Sequence, residues 1–314
     1  MKKTSKDISM NFSFKNIKLK EILFLQDYAQ NPQSFAFLGV NGHIGIDVNF
    51  GHLDPVPSFT DGEVIYVSDY GDAVIIDDKL EYTYSHLTDI KVKIGQKIKA
   101  GEIIGLQDSN GKSIQPSNWN HLHFGTRELG AETPKTWNFG KQIKNVNNGF
   151  DGFIDPNLYC DKVIIRVAEA IKIFENMDIS YNNPGALRWS PFQSGTKNNF
   201  AVFSTYEDGW KALIHQLTIA ANGKSKWYKP SMKVLDFCKI YAPSSDNNNP
   251  QNYAKFINDY CGFKGSEPIS DWLLTEIEWL RKYNNVSRGK IWAGDVLIKM
   301  FNQLWGIFFR NKGH

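Results

Sequence analysis

The chain has 314 residues, a length that predicts about two domains rather than one compact core. Its 41% hydrophobic and 22% charged residues are typical of a globular protein, and its net charge of +3 is scattered, so nucleic-acid binding is not predicted. The three cysteines lack the even count or CxxC spacing of a disulfide framework or thiolate metal site, and no apolar run approaches the length that spans a bilayer.

The chain begins with a polar segment. Residues 1–21 carry lysines without a continuous apolar region behind them, so we predict a loose arm and no secretory signal. If the protein acts outside the cell that makes it, something else must carry or release it.

Alternating apolar residues at 44–50 predict a strand with one packed face. The residues of its other face are His43, Gly45, Asp47 and Asn49. The stretch 121–124 repeats this pattern, because its leucine and phenylalanine point one way while His121 and His123 point the other way. Two strands are therefore expected to direct imidazoles and a carboxylate into a common space.

Short β-rich runs between these strands predict an antiparallel meander. The runs are 63–69, 73–77 and 81–87. On the third run His86 shares a face with two tyrosines, so it is expected to reach the cleft of the other histidines. Glycines punctuate 92–105, which predicts a tight hairpin or hammerhead, and the polar loop 107–120 is expected to form a wall of the cleft.

The histidines are concentrated in one part of the chain. Five of the seven lie between positions 43 and 123, which favours a shared site over unrelated structural roles. Imidazoles and a carboxylate, with a fourth position for water, are ligands that zinc prefers. Side chains two apart on one strand face lie about 7 Å apart, so one of His121 and His123 is expected to bind the metal and the other to stand beside the water. No His-Glu-x-x-His motif occurs, which excludes a thermolysin-type site.

Together with Tyr84-Ser85-His86-Leu87 and the glycine-spaced segment, these motifs resemble the lysostaphin-like (LytM-type) zinc endopeptidases of bacterial cell walls. The resemblance covers about residues 22–158. It implies that His43, Asp47 and His123 hold one zinc ion, while His86 and His121 flank the water and the developing oxyanion. The segment 109–113 replaces the family's Thr-Gly-x-Ser loop, a departure that bears on substrate preference.

The second half of the chain has a different composition. Apolar residues at helical spacing over 163–177, and seven of the nine tryptophans beyond position 180, predict a helical domain with its own core. The motifs that follow Glu175, at 181–188 and 203–213, look like a lysozyme-like domain of phage virion and lysis proteins.

That second resemblance implies that Glu175 is a general acid for glycoside cleavage, kept protonated by apolar neighbours. Asn176 and Ala186 replace a glycine and an asparagine of the family's motifs. The alternative is that Glu175 is a solvated residue at a helix end and that 182–185 is only a turn. Weaker carboxylate candidates are Glu169, Glu207 and Asp208.

The predicted fold class is therefore multidomain, with an N-terminal antiparallel all-β peptidase domain and a C-terminal, mainly α, lysozyme-like domain. The predicted parts are the arm at 1–21, the zinc endopeptidase at 22–160, the lysozyme-like domain at 161–268 and a helical extension at 269–314 that packs on the second domain. The apolar segment 296–310 of the extension is read as a closing core helix, with a membrane-surface helix as the alternative.

These features predict a two-domain, phage-encoded peptidoglycan hydrolase that cuts peptide cross-links and cleaves or binds the glycan strand. Bacterial peptidoglycan and phage tail proteins are the expected partners, and the virion or the host cytoplasm before release is the expected location. The alternative is a virion structural or wall-binding protein with weak or no lytic activity.

Overall fold

The computed structural model describes residues 12–14, 16–108, 120–130 and 142–285. These residues form two compact units, and the second unit comprises 17–21 and 160–283. The first unit holds the remaining described residues. Within the described parts of the chain, no helix combines the length and the apolar character that crossing a membrane requires.

The first unit is built from antiparallel strands, as predicted. Its strands are β1 Leu23–Gln26, β2 Ile46–Asn49, β3 Pro55–Pro57, β4 Gly62–Val67, β5 Ala73–Ile76, β6 Leu80–Ser85, β7 Leu87–Thr88, β8 Lys97–Ile98, β9 Ile103–Gln107, β10 Leu122–Glu128 and β11 Phe153–Ile154. One sheet has the order β1-β2-β10-β6-β5-β4-β8, with β11 beside β10, and a second sheet has the order β3-β9-β7. A single short α-helix, α1 (Pro32–Phe35), lies among the described residues of this unit, together with 3-10 turns at Ala36–Leu38 and Pro156–Tyr159.

The meander is confirmed, since β4, β5 and β6 are neighbours in that order. The hairpin predicted at 92–105 is wrong. Strand β8 pairs with β4, whereas β9 pairs with β3 and β7. Between them Gly101 adopts a left-handed φ of 92° and donates its N–H to the carbonyl of Ser58, so the chain turns into the second sheet instead of folding back on β8.

An aromatic core covers one face of the large sheet. Phe124 on β10 lies at its centre, with ring centroids 4.9 Å from Phe12 and 4.9 Å from Phe59. Phe12 and Phe14 are fully buried, so the arm predicted at 1–21 is not loose at these positions, whereas residues 1–11 and 15 lie outside the described residues. Burying two phenylalanine rings stabilises the fold by several kcal/mol, about 1.5–3 kcal/mol for each ring, which is enough to hold residues 12–14 against the sheet.

The second unit is mainly helical. Its elements are α2 Val163–Glu175, β12 Gly195–Lys197, β13 Phe200–Val202, α3 Tyr206–Ala221, α4 Val234–Tyr241, α5 Pro250–Cys261 and α6 Glu276–Tyr283. The helix predicted at 163–177 is confirmed by α2, which ends where Asn176 takes a left-handed φ of 42°. The three cysteines are buried and unpaired, as expected.

The described start of the predicted extension belongs to this unit. A short 3-10 turn, Ile269–Leu273, and helix α6 bury Trp272 and Trp279. The apolar segment 296–310 lies outside the described residues.

Candidate functional sites

Strand pairing assembles the site of the first unit. His123 on β10 lies opposite Asp47 on β2 and, on its other side, opposite Ser85 at the end of β6. His86 follows Ser85 directly. Because β10 is hydrogen-bonded to both neighbours, the register of the sheet alone brings residues from three distant segments to one place.

Three potential ligand atoms converge there. His43 Nε2 and His123 Nδ1 are each 3.1 Å from Asp47 Oδ1, and the two nitrogens are 2.9 Å apart. Ligands of tetrahedral zinc, at bond lengths near 2 Å, lie about 3.3 Å from one another. The two nitrogens and one oxygen therefore fit a small divalent cation in both spacing and chemical type.

The tautomer of His43 strengthens this fit. Its Nδ1 lies 3.0 Å from the carbonyl oxygen of Asp27, which can only accept, so Nδ1 carries the proton and Nε2 presents a lone pair. That lone pair faces a carboxylate oxygen and another imidazole nitrogen. A single proton on His123 Nδ1 can form hydrogen bonds across only some of these three contacts. A cation between the three atoms would accept electron pairs from all of them. A carbonyl behind a ligating imidazole is a common support for metal sites.

Burial and charge set the ionisation of these groups. Burial raises the pKa of Asp47, but the neighbouring imidazoles of His43, His121 and His123 outweigh it and hold this pKa well below its usual range. Burial lowers the pKa of His123, opposed by its hydrogen bond to Asp47. The set therefore presents a carboxylate and a neutral imidazole at neutral pH, the forms that bind metal.

Two further imidazoles lie beside this set. His121 Nε2 is 3.6 Å from Asp47 Oδ1, and the ring centroids of His86 and His121 are 4.7 Å apart. Burial, followed by the neighbouring imidazoles, holds the pKa of His86 well below its usual range, so His86 is neutral at pH 7. The structure thus brings together all five side chains singled out in the first half of the sequence.

Some residues that support the site carry no obvious sequence signal. The carbonyl of Asp27 and the side chain of Gln107 belong to no motif. Gly45, in contrast, lies within the alternating strand pattern, where a Cβ would approach the Phe124 carbonyl oxygen to 2.4 Å and the His123 ring to 2.9 Å. The expected cleft wall is described only in part, because 109–119 lies outside the described residues.

The second unit contains a separate cleft of about 520 Å³, with Glu175 at the end of α2 in its lining. Tyr253 donates a hydrogen bond of 2.7 Å to Glu175 Oε1 and stacks on Phe174 at 4.0 Å. Trp189 and Trp227 also line the cleft and are 69% and 64% exposed. Burial raises the pKa of Glu175, opposed by the tyrosine hydrogen bond, which is the direction a general acid requires.

The weaker carboxylate candidates do not line this cleft of the second unit. Glu169 accepts from the Tyr260 hydroxyl at 3.3 Å, Glu207 pairs with Lys211 at 2.9 Å, and Asp208 accepts from Thr205 at 2.8 Å at the start of α3. Asp246 does line the cleft, where it pairs with Arg188 at 3.0 Å.

The segment 182–185 is more than a surface turn. Asn183 is 2% exposed, donates to the carbonyls of Leu187 and Ala201, and accepts from the N–H of Leu187, with all three distances 2.9 Å. Helix α3 approaches so closely that a Cβ on Gly209 would lie 1.7 Å from the carbonyl oxygen of Asn182. The segment therefore fixes the chain that leads to Trp189 in the cleft.

Comparison with known proteins finds similarity in the first half of the chain. Residues 41–135 match the model of Peptidase family M23. Two curated relatives are each 36% identical over 96 residues, or 28% of this chain: glycyl-glycine endopeptidase ALE-1 of Staphylococcus capitis and lysostaphin of Staphylococcus simulans. The chain covers 25% and 19% of these proteins, so it spans at most a quarter of their lengths.

Solved structures of similar proteins include the catalytic domain of the antimicrobial peptidase lysostaphin from Staphylococcus simulans. It is 24% identical, with a TM-score of 0.32, and the match covers 44% of this chain and 91% of that chain. The prophage-encoded M23 protein EnpA from Enterococcus faecalis is 27% identical, covering 40% of this chain and 89% of that chain, with a TM-score of 0.29.

Proposed function

We propose that this chain, which carries a domain of Peptidase family M23 at residues 41–135, is a peptidoglycan hydrolase whose first unit cuts peptide cross-links with the help of one zinc ion. The observation that carries the proposal is the convergence of His43 Nε2, Asp47 Oδ1 and His123 Nδ1 within 3.1 Å. The proposal is further supported by two imidazoles beside this set.

His43, Asp47 and His123 would hold the zinc ion. Zinc in such a site supplies a Lewis acid that polarises a peptide carbonyl and makes a water molecule more acidic. Asp47 stays ionised because its pKa is lowered, so it contributes the negative charge of the set.

The imidazoles of His86 and His121 would take different parts in proton transfer. His121 Nε2, 3.6 Å from Asp47 Oδ1, is placed to exchange a proton with a water next to the set. His86 is neutral at pH 7, and a neutral imidazole either accepts a proton or donates an N–H to a developing oxyanion. One of the two takes the proton of the attacking water while the other stabilises the tetrahedral oxyanion, and the proton then passes to the leaving amine.

The relatives support the substrate class. One of them is named a glycyl-glycine endopeptidase, which makes the peptide cross-bridge of a bacterial wall the substrate we propose for the first unit. The segment 109–113, which departs from the family pattern, is where we expect the preference for a particular bond of that cross-bridge to differ from the relatives.

For the second unit we propose cleavage of the glycan strand, with Glu175 as the general acid. Its position in a 520 Å³ cleft and its raised pKa support this role. The exposed rings of Trp189 and Trp227 offer apolar surfaces of the kind on which sugar rings pack. The weaker form of the proposal is a unit that binds glycan without cutting it.

The lysozyme-like character of this unit, a phage origin, a virion or host-cytoplasmic location and tail-protein partners remain predictions from sequence. So does the alternative of a virion structural or wall-binding protein with little lytic activity. The first site favours the enzyme, since all five side chains to which the family resemblance gives a catalytic or metal-binding role are present and lie together.

Digestion of purified bacterial walls by the full chain tests both activities. Mass spectrometry of the fragments distinguishes them, because peptide cuts leave new amino termini and glycan cuts leave new sugar ends. We expect new amino termini that disappear on chelation and return with zinc, and glycan ends that persist with chelator but disappear in Glu175→Gln. Intact peptides under all conditions would refute the peptidase, and unchanged glycan ends in Glu175→Gln would refute the acid.

A further inference from the structure

The side-chain amides of Asn49 and Gln107 are hydrogen-bonded to each other and to backbone next to the segments that carry His86 and His121. Gln107, at the end of β9, is fully buried. Its Nε2 donates to Asn49 Oδ1 at 3.0 Å and to the Gly51 carbonyl at 2.9 Å, and its Oε1 accepts from the Phe50 N–H at 2.8 Å. Both amide protons are used, so the orientation of this amide is fixed.

Asn49 extends the pair to the segment that carries His121. Its Oδ1 also accepts from the Gly51 N–H at 2.7 Å, and its Nδ2 donates to the carbonyl of Asn120 at 2.8 Å. The peptide group that begins with this carbonyl is the one that enters His121. The bond therefore restrains the backbone at the point from which the His121 side chain departs.

Gln107 extends the pair to His86. Leu87 and Gln107 are directly paired strand residues, and the next N–H, that of Asp108, donates to the His86 carbonyl at 2.8 Å. His86 has a left-handed φ of 67°, which is rare for a residue with a side chain and needs support from its surroundings. The segment that supports His86 is the one that the Gln107 side chain ties to β2.

We propose that Asn49 and Gln107 are positioning residues that set the separation of the His86 and His121 rings. They link the segments 49–51, 107–108 and 120–121. The three candidate zinc ligands are instead positioned by the Asp27 carbonyl and by the pairing of β2 with β10. The inference rests on the proposed peptidase function, since it assigns the pair a part in that reaction. It predicts that mutations of this amide pair impair proton transfer by His86 and His121 without impairing zinc binding.

The test compares Asn49→Ala and Gln107→Met with a matched control, Asn148→Ala. In the same unit, Asn148 Oδ1 accepts from the N–H groups of Phe150 (2.8 Å) and Gly152 (3.1 Å), and Nδ2 donates to the Phe153 carbonyl (2.7 Å). The control thus removes the same kinds of bond as Asn49→Ala, at a site that contacts neither His86 nor His121 through these bonds.

We expect kcat for peptide cleavage to fall about 10- to 100-fold in both test variants, with KM changed less than about twofold and zinc content unchanged. The control should lose thermal stability to a similar degree without losing kcat. Full kcat in both test variants, or an equal loss in the control, would overturn the proposal.

A second measurement does not depend on activity. In histidine-labelled protein, nuclear Overhauser contacts between the ring protons of His86 and His121, whose centroids are 4.7 Å apart, should weaken in the test variants and persist in the control. If Asn49→Ala fails to fold, Asn49→Asp keeps an acceptor for Gly51 but turns a negatively charged oxygen toward the Asn120 carbonyl in place of the donor, and the same weakening is expected. Unchanged contacts in folded variants would refute positioning, whereas a wild-type protein that cuts no peptide would refute the proposed function alone.

Discussion

The two units place a carboxyl group in opposite electrostatic settings. Asp47 lies among imidazoles, which lower its pKa against the effect of burial, and so it is a permanent anion suited to a cation. Glu175 lies in a partly apolar cleft with one tyrosine hydroxyl, and burial raises its pKa, so it is suited to donate a proton. The same chemical group is thus fitted to two roles by its surroundings alone.

The units also differ in how the carboxyl is held. Asp47 is fixed by strand pairing on β2, directly opposite His123. Glu175 is the last residue of α2 and is held by the hydroxyl of Tyr253. The first site should therefore fail when the close packing of its strands is altered, whereas the second should respond mainly to changes in ionisation.

The largest expected effect follows replacement of Asp47. Asp47→Asn removes the anionic ligand, so we expect zinc affinity to fall by more than about 100-fold, beyond the loss typical of supporting residues, and peptide cleavage to fall with it. The glycan cleavage that we propose for the second unit should be unaffected. Zinc titration and fragment analysis measure the two effects, and Asp61→Asn, an exposed carboxylate paired with Lys99, is the control. Zinc affinity equal to that of the control would contradict the assignment.

A smaller effect on the same site is expected from Gly45→Ala. The added methyl group would collide with the Phe124 carbonyl and the His123 ring, so β10 and the ligand it carries must shift. We expect a loss of about 10- to 100-fold in zinc affinity, measured by competition with a chromophoric chelator. Gly95→Ala adds a methyl group in open space at a left-handed turn and controls for general backbone strain. Equal affinity in the two variants would show that close packing at Gly45 is unimportant.

Glu175→Gln tests the effect of burial on the ionisation of the second carboxyl group. Because the pKa of Glu175 is raised above its usual 4.5, the folded protein binds more protons than the unfolded chain between the two pKa values. The stabilising contribution is complete below the unfolded pKa and is lost as pH rises through the folded pKa. Glutamine cannot ionise, so the variant should gain Tm relative to wild type at pH 7 but not at pH 4.

Thermal unfolding of the full chain at both pH values measures this difference. Glu169→Gln, on the same helix but outside the cleft, controls for removal of a carboxylate. A pH-independent difference between Glu175→Gln and wild type would contradict the raised pKa.

The smallest effects concern left-handed backbone positions of the second unit. Ala186 has a φ of 47° and Asn176 a φ of 42°, a region that asparagine tolerates better than alanine. Ala186→Asn should stabilise the unit by less than about 1 kcal/mol, and Asn176→Ala should destabilise it by about 1 kcal/mol. Chemical denaturation measures both, and shifts of the same sign would contradict the backbone argument.

Residue patterns predicted most of the candidate ligands of the first site, but fewer of the residues that position them. The alternation around Ile46 and Leu122 indicated which faces would carry His43, Asp47 and His123, because strand periodicity is local. The β8 and β9 pairing was missed, since two short strands separated by a turn can pair with each other or with different sheets. Asp27 was also missed, because a backbone carbonyl leaves no trace in the identity of its residue.

In the second unit, the helix that ends at Glu175 was predictable from apolar spacing. The partner of Glu175 was not, since Tyr253 lies 78 positions away and no local pattern connects the two. The buried role of Asn183 likewise depends on a distant partner, the Ala201 carbonyl on β13, so local sequence alone left a simple turn open as the alternative.

The proposed peptidase site depends on zinc coordination by His43, Asp47 and His123. X-ray absorption spectroscopy of the full chain, loaded with one equivalent of zinc, reports the ligand types around the ion. We predict one tightly bound zinc per chain with two imidazole nitrogens and carboxylate oxygen in its first shell, and loss of this spectrum in Asp47→Asn. Failure to retain zinc, or an unchanged spectrum in Asp47→Asn, would refute zinc coordination by these three side chains.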